Sequence, residues 1–160
     1  MSFPTQGRIA GVDFGEVRIG IAICDPTQRL ASPLENYSRR SREEDAKHFQ
    51  LLVDREQIVG FVVGLPLFAS GDESPKSREA RQFGVWLEGA TGCPVQFFDE
   101  RYSTVAAEQI LTGAGLTSKK RKQRRDMLAA HIILASFLES QSRGATLPGP
   151  LTDENTPPQR

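Results

Sequence analysis

The run Ile58-Val-Gly-Phe-Val-Val63 constrains the fold more than any other stretch of this chain. Without a polar side chain it has no wet face, so as a strand it must be covered on both sides by helices packed on a sheet. The flanking residues supply them. Upstream, Ser41-Arg-Glu-Glu44 reads as a capping box, the serine accepting from the Glu44 amide while the glutamate side chain reaches back. The helix it opens carries Phe49, Leu52 and Val53 on one face and runs to about Glu56. Downstream, a loop over 64–73 leads to Ser74-Pro75, where proline suits the first position of a helix. Ala80, Phe83, Leu87 and Ala90 recur there at helical spacing, and Gly92 stops the helix.

Residues 8–14 and 18–24 read as the two strands of a hairpin, with Gly15 in the turn. Asp25-Pro-Thr-Gln28 is a second turn, and 29–37 a third, less regular strand broken by Pro33. Pro94-Val-Gln-Phe-Phe98 is the last strand. Ser103 caps a helix ending near Gly113, and residues 125–140 form a closing helix with Met127, Leu134 and Leu138 facing inward. Strand hairpins followed by alternating helices and strands describe an α/β domain: a mixed five-stranded sheet with helices on both faces. Several architectures share that order, the ribonuclease-H-like fold among them. From Gln141 the chain is polar and carries Pro148, Pro150, Pro157 and Pro158. The expectation is a domain over 1–140 and a disordered tail over 141–160.

Lysine and arginine together number 20, aspartate and glutamate also 20. Net charge therefore says nothing about nucleic acid, and only the placement of charge can. No apolar run approaches the ~20 residues that span a bilayer. The opening Met-Ser-Phe-Pro-Thr-Gln lacks a charged region followed by an apolar one, so a cytoplasmic location without membrane association is expected. Cys24 and Cys93 have no metal-type spacing and read as free thiols. His48 and His131 are equally isolated, which argues against zinc.

Three acidic positions are unusual. Asp13 ends an apolar strand, where a carboxylate is costly unless a cation or hydrogen-bond donors meet it. It is either a turn-former bonded to amides near Gly15 or a metal ligand on a rigid strand. Asp99-Glu100 follows the last strand, either offsetting the dipole of the helix at Ser103 or binding metal. Alternation sends the two acids to different faces, so only one reaches a shared site; Glu100 is chosen, with Asp99 in support. Asp126 is either an N-terminal helix charge or a third ligand, and it follows the basic run Lys119, Lys120, Arg121, Lys122, Arg124 and Arg125. Such a run is usually a solvated loop, but beside a metal ligand it is a clamp for a polyanion. Crowded carboxylates stay partly protonated unless divalent cations neutralise them, and Mg²⁺ or Mn²⁺ suits oxygen ligands. Two such ions would serve in-line phosphoryl displacement. No nucleophile elbow and no Gly-x-x-x-x-Gly-Lys loop offers an alternative chemistry.

Gly11-Val-Asp-Phe-Gly15 with Arg18-Ile-Gly-Ile-Ala22, Val63-Gly-Leu-Pro-Leu67, Phe98-Asp-Glu-Arg101 with Ser103-Thr104, and Asp126-Met-Leu-Ala-Ala130 follow one another in order. In order and spacing they resemble the YqgF (RuvX) family, relatives of the RuvC Holliday junction resolvases with a ribonuclease-H-like fold. The resemblance covers about residues 7–140. It implies a metal-dependent nuclease that trims the 5′ end of pre-16S rRNA, with acids at Asp13, Glu100 and Asp126. One motif departs: where the family commonly reads Asn-x-Asp-Gly, this chain has Phe68-Ala-Ser-Gly71.

The expected partners are structured RNA, such as a ribosomal RNA precursor or particle, or branched DNA, bound by a monomer or weak homodimer. Arg18 and Arg101 either position phosphates or pair with neighbouring acids. Phe14, Phe68 and Tyr102 either stack on an unpaired base or pack into the core. The rival readings are a Holliday junction resolvase and a non-catalytic RNA-binding assembly factor. Asp13-Phe-Gly15 also resembles the phosphate loop of actin-like ATPases, but 160 residues are too few for their two large domains.

Overall fold

The structure, a computed structural model, describes residues 2–103 and 118–146 together with 107 and 110; side chains at 118–126 and 143–146 lie outside that description. Five strands, β1 (Arg8–Asp13), β2 (Arg18–Cys24), β3 (Ala31–Ser38), β4 (Ile58–Leu65) and β5 (Val95–Asp99), form one sheet in the order β3-β2-β1-β4-β5. β1 pairs antiparallel with β2, and β2 with β3, while β1, β4 and β5 run parallel. Helices α1 (Arg42–Glu56) and α2 (Pro75–Thr91) cover one face, and α3 (Ser118–Thr146) the other.

The burial of β4 follows from its composition. Phe61 and Val63 join the core under α1 and α2 with Phe49, Leu52, Phe83 and Leu87. Val62 points the other way, into a second core with Ile9, Phe98, Ile133, Leu134 and Phe137 beneath α3. Strand alternation thus divides one apolar run between two cores. Pro33 sits on β3, an outer strand, beside a register shift opposite Ile21 and Ala22. That is where a residue lacking an N–H is tolerated.

Both helix starts hold, with one exchange of roles. Ser41 accepts from the Glu44 amide at 3.1 Å, but the Glu44 carboxylate meets the serine hydroxyl instead of closing a box. The reciprocal box occurs at α2, where Ser74 and Ser77 satisfy each other's amides behind Pro75. Gly92, at φ 75°, ends that helix. The closing helix differs from expectation at both ends: it begins at Ser118, not 125, and continues through Thr146, past the start of the expected tail at 141. Lysine, arginine and glutamine propagate a helix well even when they bury nothing. The expected helix from Ser103 to Gly113 falls largely outside the described residues, as does the tail beyond 146. Among the described residues, no helix is long and apolar enough to cross a membrane.

Cys24 and Cys93 are buried and unpaired with each other. Cys24 accepts from the Ile9 amide at 3.1 Å. His48 meets Glu35 at 2.8 Å, and His131 the Ala31 carbonyl at 3.0 Å.

Candidate active site

The C-terminal ends of the three parallel strands gather Asp13, Gly64 and the Asp99-Glu100 pair along one edge of the sheet. Register puts Val12 beside Val63, and Gly64 beside Phe98. On β1, Ile9 belongs to the α3 core and Ala10 and Val12 to the opposite one. Gly11 and Asp13 therefore fall on the α3 face. Glu100 opens a short 3-10 turn (Glu100–Tyr102) after β5 and turns back toward β4. A Cβ on Gly64 would lie 2.7 Å from Glu100 Oε2 and 2.5 Å from Ile133 Cδ1. Glycine at 64 thus leaves the space that the Glu100 carboxylate occupies, and a glycine inside an apolar strand is the sequence signal for such close approach.

The two acids at this edge have opposite electrostatic fates. Asp99 is held by Arg101, whose Nη2 donates at 2.6 Å, Nε at 2.9 Å and backbone amide at 2.9 Å, and these bonds lower its pKa. Among the described residues, no hydrogen bond of this kind reaches the Glu100 carboxylate. Burial first, then the neighbouring charges of Asp13 and Asp99, push its carboxyl up to about 7. Burial also raises Asp13, against the opposing charge of Lys76 at the start of α2. Two partly buried carboxyls, both disfavoured as anions by burial and Glu100 further by the charge of Asp13, form an oxygen donor set suited to a hard divalent cation, because a cation reverses these penalties.

Of the residues singled out from the sequence, Asp13 and Glu100 are brought together. Asp126 lies on α3, and its side chain is outside the described residues, as are those of Lys119, Lys120, Arg121, Lys122, Arg124 and Arg125. No cluster of three metal-ligating residues occurs among the described residues, which contain only two of the three expected acids. Arg18 is exposed at the start of β2. Arg101 is engaged by Asp99 and donates to the Ala69 carbonyl at 3.3 Å, so the ion-pair alternative describes its geometry. Phe14 packs on Phe83 with centroids 4.7 Å apart, the core alternative, whereas Phe68 and Tyr102 are exposed. Sequence reasoning did not single out Lys76 or Gly64. The glycine stood in a quoted motif, but nothing in the chain links position 76 to position 13.

The chain also resembles known proteins along most of its length. The RuvX family, described as Holliday junction resolvase, matches residues 7–140. A protein of Rhodopirellula baltica named "Putative pre-16S rRNA nuclease" is 47% identical over 154 residues, covering 96% of this chain and 89% of its own. A Roseiflexus protein of the same name is 41% identical over 135 residues, covering 84% and 96%. Among solved structures, Thermus thermophilus RuvC in complex with a Holliday junction substrate superposes with a TM-score of 0.60 at 15% identity, covering 87% of this chain and 96% of its own. The fowlpox virus Holliday junction resolvase gives 0.51 at 14% identity, covering 83% and 99%. At such identities the two structures speak for the fold, which is ribonuclease-H-like. The class is that of nucleases that hydrolyse phosphodiester bonds. Within it, the chain belongs to the RuvX family.

Proposed function

We propose that this chain is a divalent-metal-dependent nuclease that matures the 5′ end of pre-16S rRNA, with Asp13, Glu100 and Asp126 holding the metal. The observation that carries the metal site is the Asp13–Glu100 pair at the sheet edge, with the Gly64 cradle beneath it. Asp126 is one turn before Ala130, whose carbonyl would lie 3.1 Å from a Cβ on Gly11, two residues before Asp13. That spacing supports its inclusion. Mg²⁺ or Mn²⁺, as one ion or two, would supply Lewis acidity toward the phosphate and its attacking and leaving oxygens. The chain's own part is to fix the carboxylates on rigid strand ends and to keep Asp99 out of the donor set through Arg101. The basic stretch 119–125 attracts the polyanion, and Arg18 lies at the neighbouring strand end. The names of the similar proteins support ribosomal RNA as substrate.

The family description favours a second reading, resolution of branched DNA by a symmetric dimer. The test is cleavage of a pre-16S RNA fragment and of a four-way DNA junction with Mg²⁺ or Mn²⁺, run beside Asp13→Asn. The expected result is metal-dependent RNA cleavage that disappears in the folded variant. Preference for the junction would transfer the proposal to DNA. Equal cleavage by both proteins would refute the assigned site, and complementation of a deletion strain by Asp13→Asn would favour a non-catalytic assembly factor.

A further inference from the structure

The loop after β4 exposes an aromatic side chain, Phe68, and the structure gives that exposure a physical setting. Phe68 is 53% exposed and Tyr102 72% exposed, although both are large aromatic side chains on an edge that already carries the acids. They belong to the two segments that leave the parallel strands β4 and β5, Phe68 shortly after Gly64 and Tyr102 shortly after Glu100 in the chain. Ligands of such sheets bind beyond the carboxyl ends of the strands.

Neither segment is a loose loop. Phe68 donates its amide to the Asp72 carbonyl at 3.0 Å and accepts from the Gly71 amide at 2.8 Å, closing a tight turn. Gly71, at φ 94°, lies against the Arg101 guanidinium, where a Cβ would come within 3.1 Å of Nη1. Arg101 Nη1 also holds the Ala69 carbonyl, while the Asp99 carboxylate holds Arg101 from the other side. The same guanidinium lies 5.6 Å from the Tyr102 ring centroid. One arginine thus ties the Phe68 turn to the Tyr102 turn and leaves both rings facing solvent. Exposing two anchored rings gains nothing for the fold, because the hydrophobic contribution of an aromatic comes from its burial.

We propose that Phe68 and Tyr102, joined through Arg101, form a stacking platform for an unpaired base of the substrate strand beside the acid site. Every base has a π-face, so stacking on such rings tolerates sequence while selecting single-stranded over paired nucleic acid. The exposed rings thereby favour strands that are open at the cut. Asp99 and Arg101 are positioning residues in this arrangement. The inference rests on the nuclease reading for its substrate.

The test reads binding instead of cleavage, with a chelator present so that the strand stays intact. A single-stranded RNA carrying 2-aminopurine is compared with the same strand in a full duplex, by anisotropy and by fluorescence quenching. The variants are Phe68→Ala, Tyr102→Ala, the double variant and Phe68→Trp. The double variant is expected to lose affinity for the single strand about tenfold or more, with loss of quenching, and to bind duplex as the wild type does. Phe68→Trp restores both signals. Because both side chains are exposed, the fold tolerates their truncation. Unchanged single-strand affinity, or equal weakening toward duplex, overturns the platform and leaves the nuclease reading standing. A wild type that binds neither RNA also overturns the platform, whereas the nuclease reading fails only if metal-dependent cleavage is absent.

Discussion

Replacing Glu100 by glutamine removes a charge from a place where the fold resists it. Burial and Asp13 raise this carboxyl from its ordinary 4.5 to about 7, so the folded protein retains a proton that the unfolded chain releases. The favourable contribution is therefore whole below about pH 4.5 and is lost as pH rises through 7. At full ionisation the difference corresponds to about 3 kcal/mol. Glu100 is only half-buried, and water reaching its carboxylate screens much of this, leaving about 1–2 kcal/mol. Glutamine has nearly the same shape and does not titrate. In chelator, Glu100→Gln should match the wild type at pH 4.5 and exceed it by about 1–2 kcal/mol at pH 8. Urea unfolding at a series of pH values, followed by the fluorescence of Trp86, the chain's one tryptophan, measures the difference. Added Mg²⁺ or Mn²⁺ at pH 8 should then stabilise the wild type more than the variant, because the cation binds the folded carboxylates. Parallel stability curves from pH 4.5 to 8 would refute the assignment of strain to this carboxyl.

Two further outcomes can be measured. Gly64→Ala sets a methyl 2.5 Å from Ile133 Cδ1 and 2.7 Å from Glu100 Oε2; the buried isoleucine has little room to yield, so the half-buried glutamate is displaced. Stability should fall by about 1–3 kcal/mol, and cleavage should fall further than unfolding explains, as denaturation and rate measurements on one preparation would reveal. If the six basic residues from Lys119 to Arg125 each meet a phosphate, the logarithm of RNA affinity should fall with that of salt at a slope of about −4 to −5. Neutralising Lys119, Lys120 and Arg121 together should flatten that slope by about 2 to 3; an unchanged slope would place the phosphate contacts elsewhere.

Much of the fold was legible because its signals are local. Residues 58–63 have no polar face, the serines at 41 and 74 precede helical periodicity, and Gly92 closes what Ser74 opens. The ends of α3 were not legible because the sequence of the basic segment carries no apolar stripe, so periodicity found only part of a longer helix. Asp13 and Glu100 were legible as acids in costly places. Strand alternation separated Glu100 from Asp99, but the choice of Arg101 was not legible, since Asp99 ends β5, Glu100 follows it and either could have paired with the arginine.

Local chemistry along the chain determined the elements, their order and the positions where a carboxylate is costly. What only tertiary structure decided was the sharing of partners: Arg101 went to Asp99, Lys76 came near Asp13, and Gly64 made room for Glu100. Those outcomes depend on register between strands far apart in sequence. Hydrogen-bond geometry and desolvation act through distance in space, so residue order alone cannot assign them.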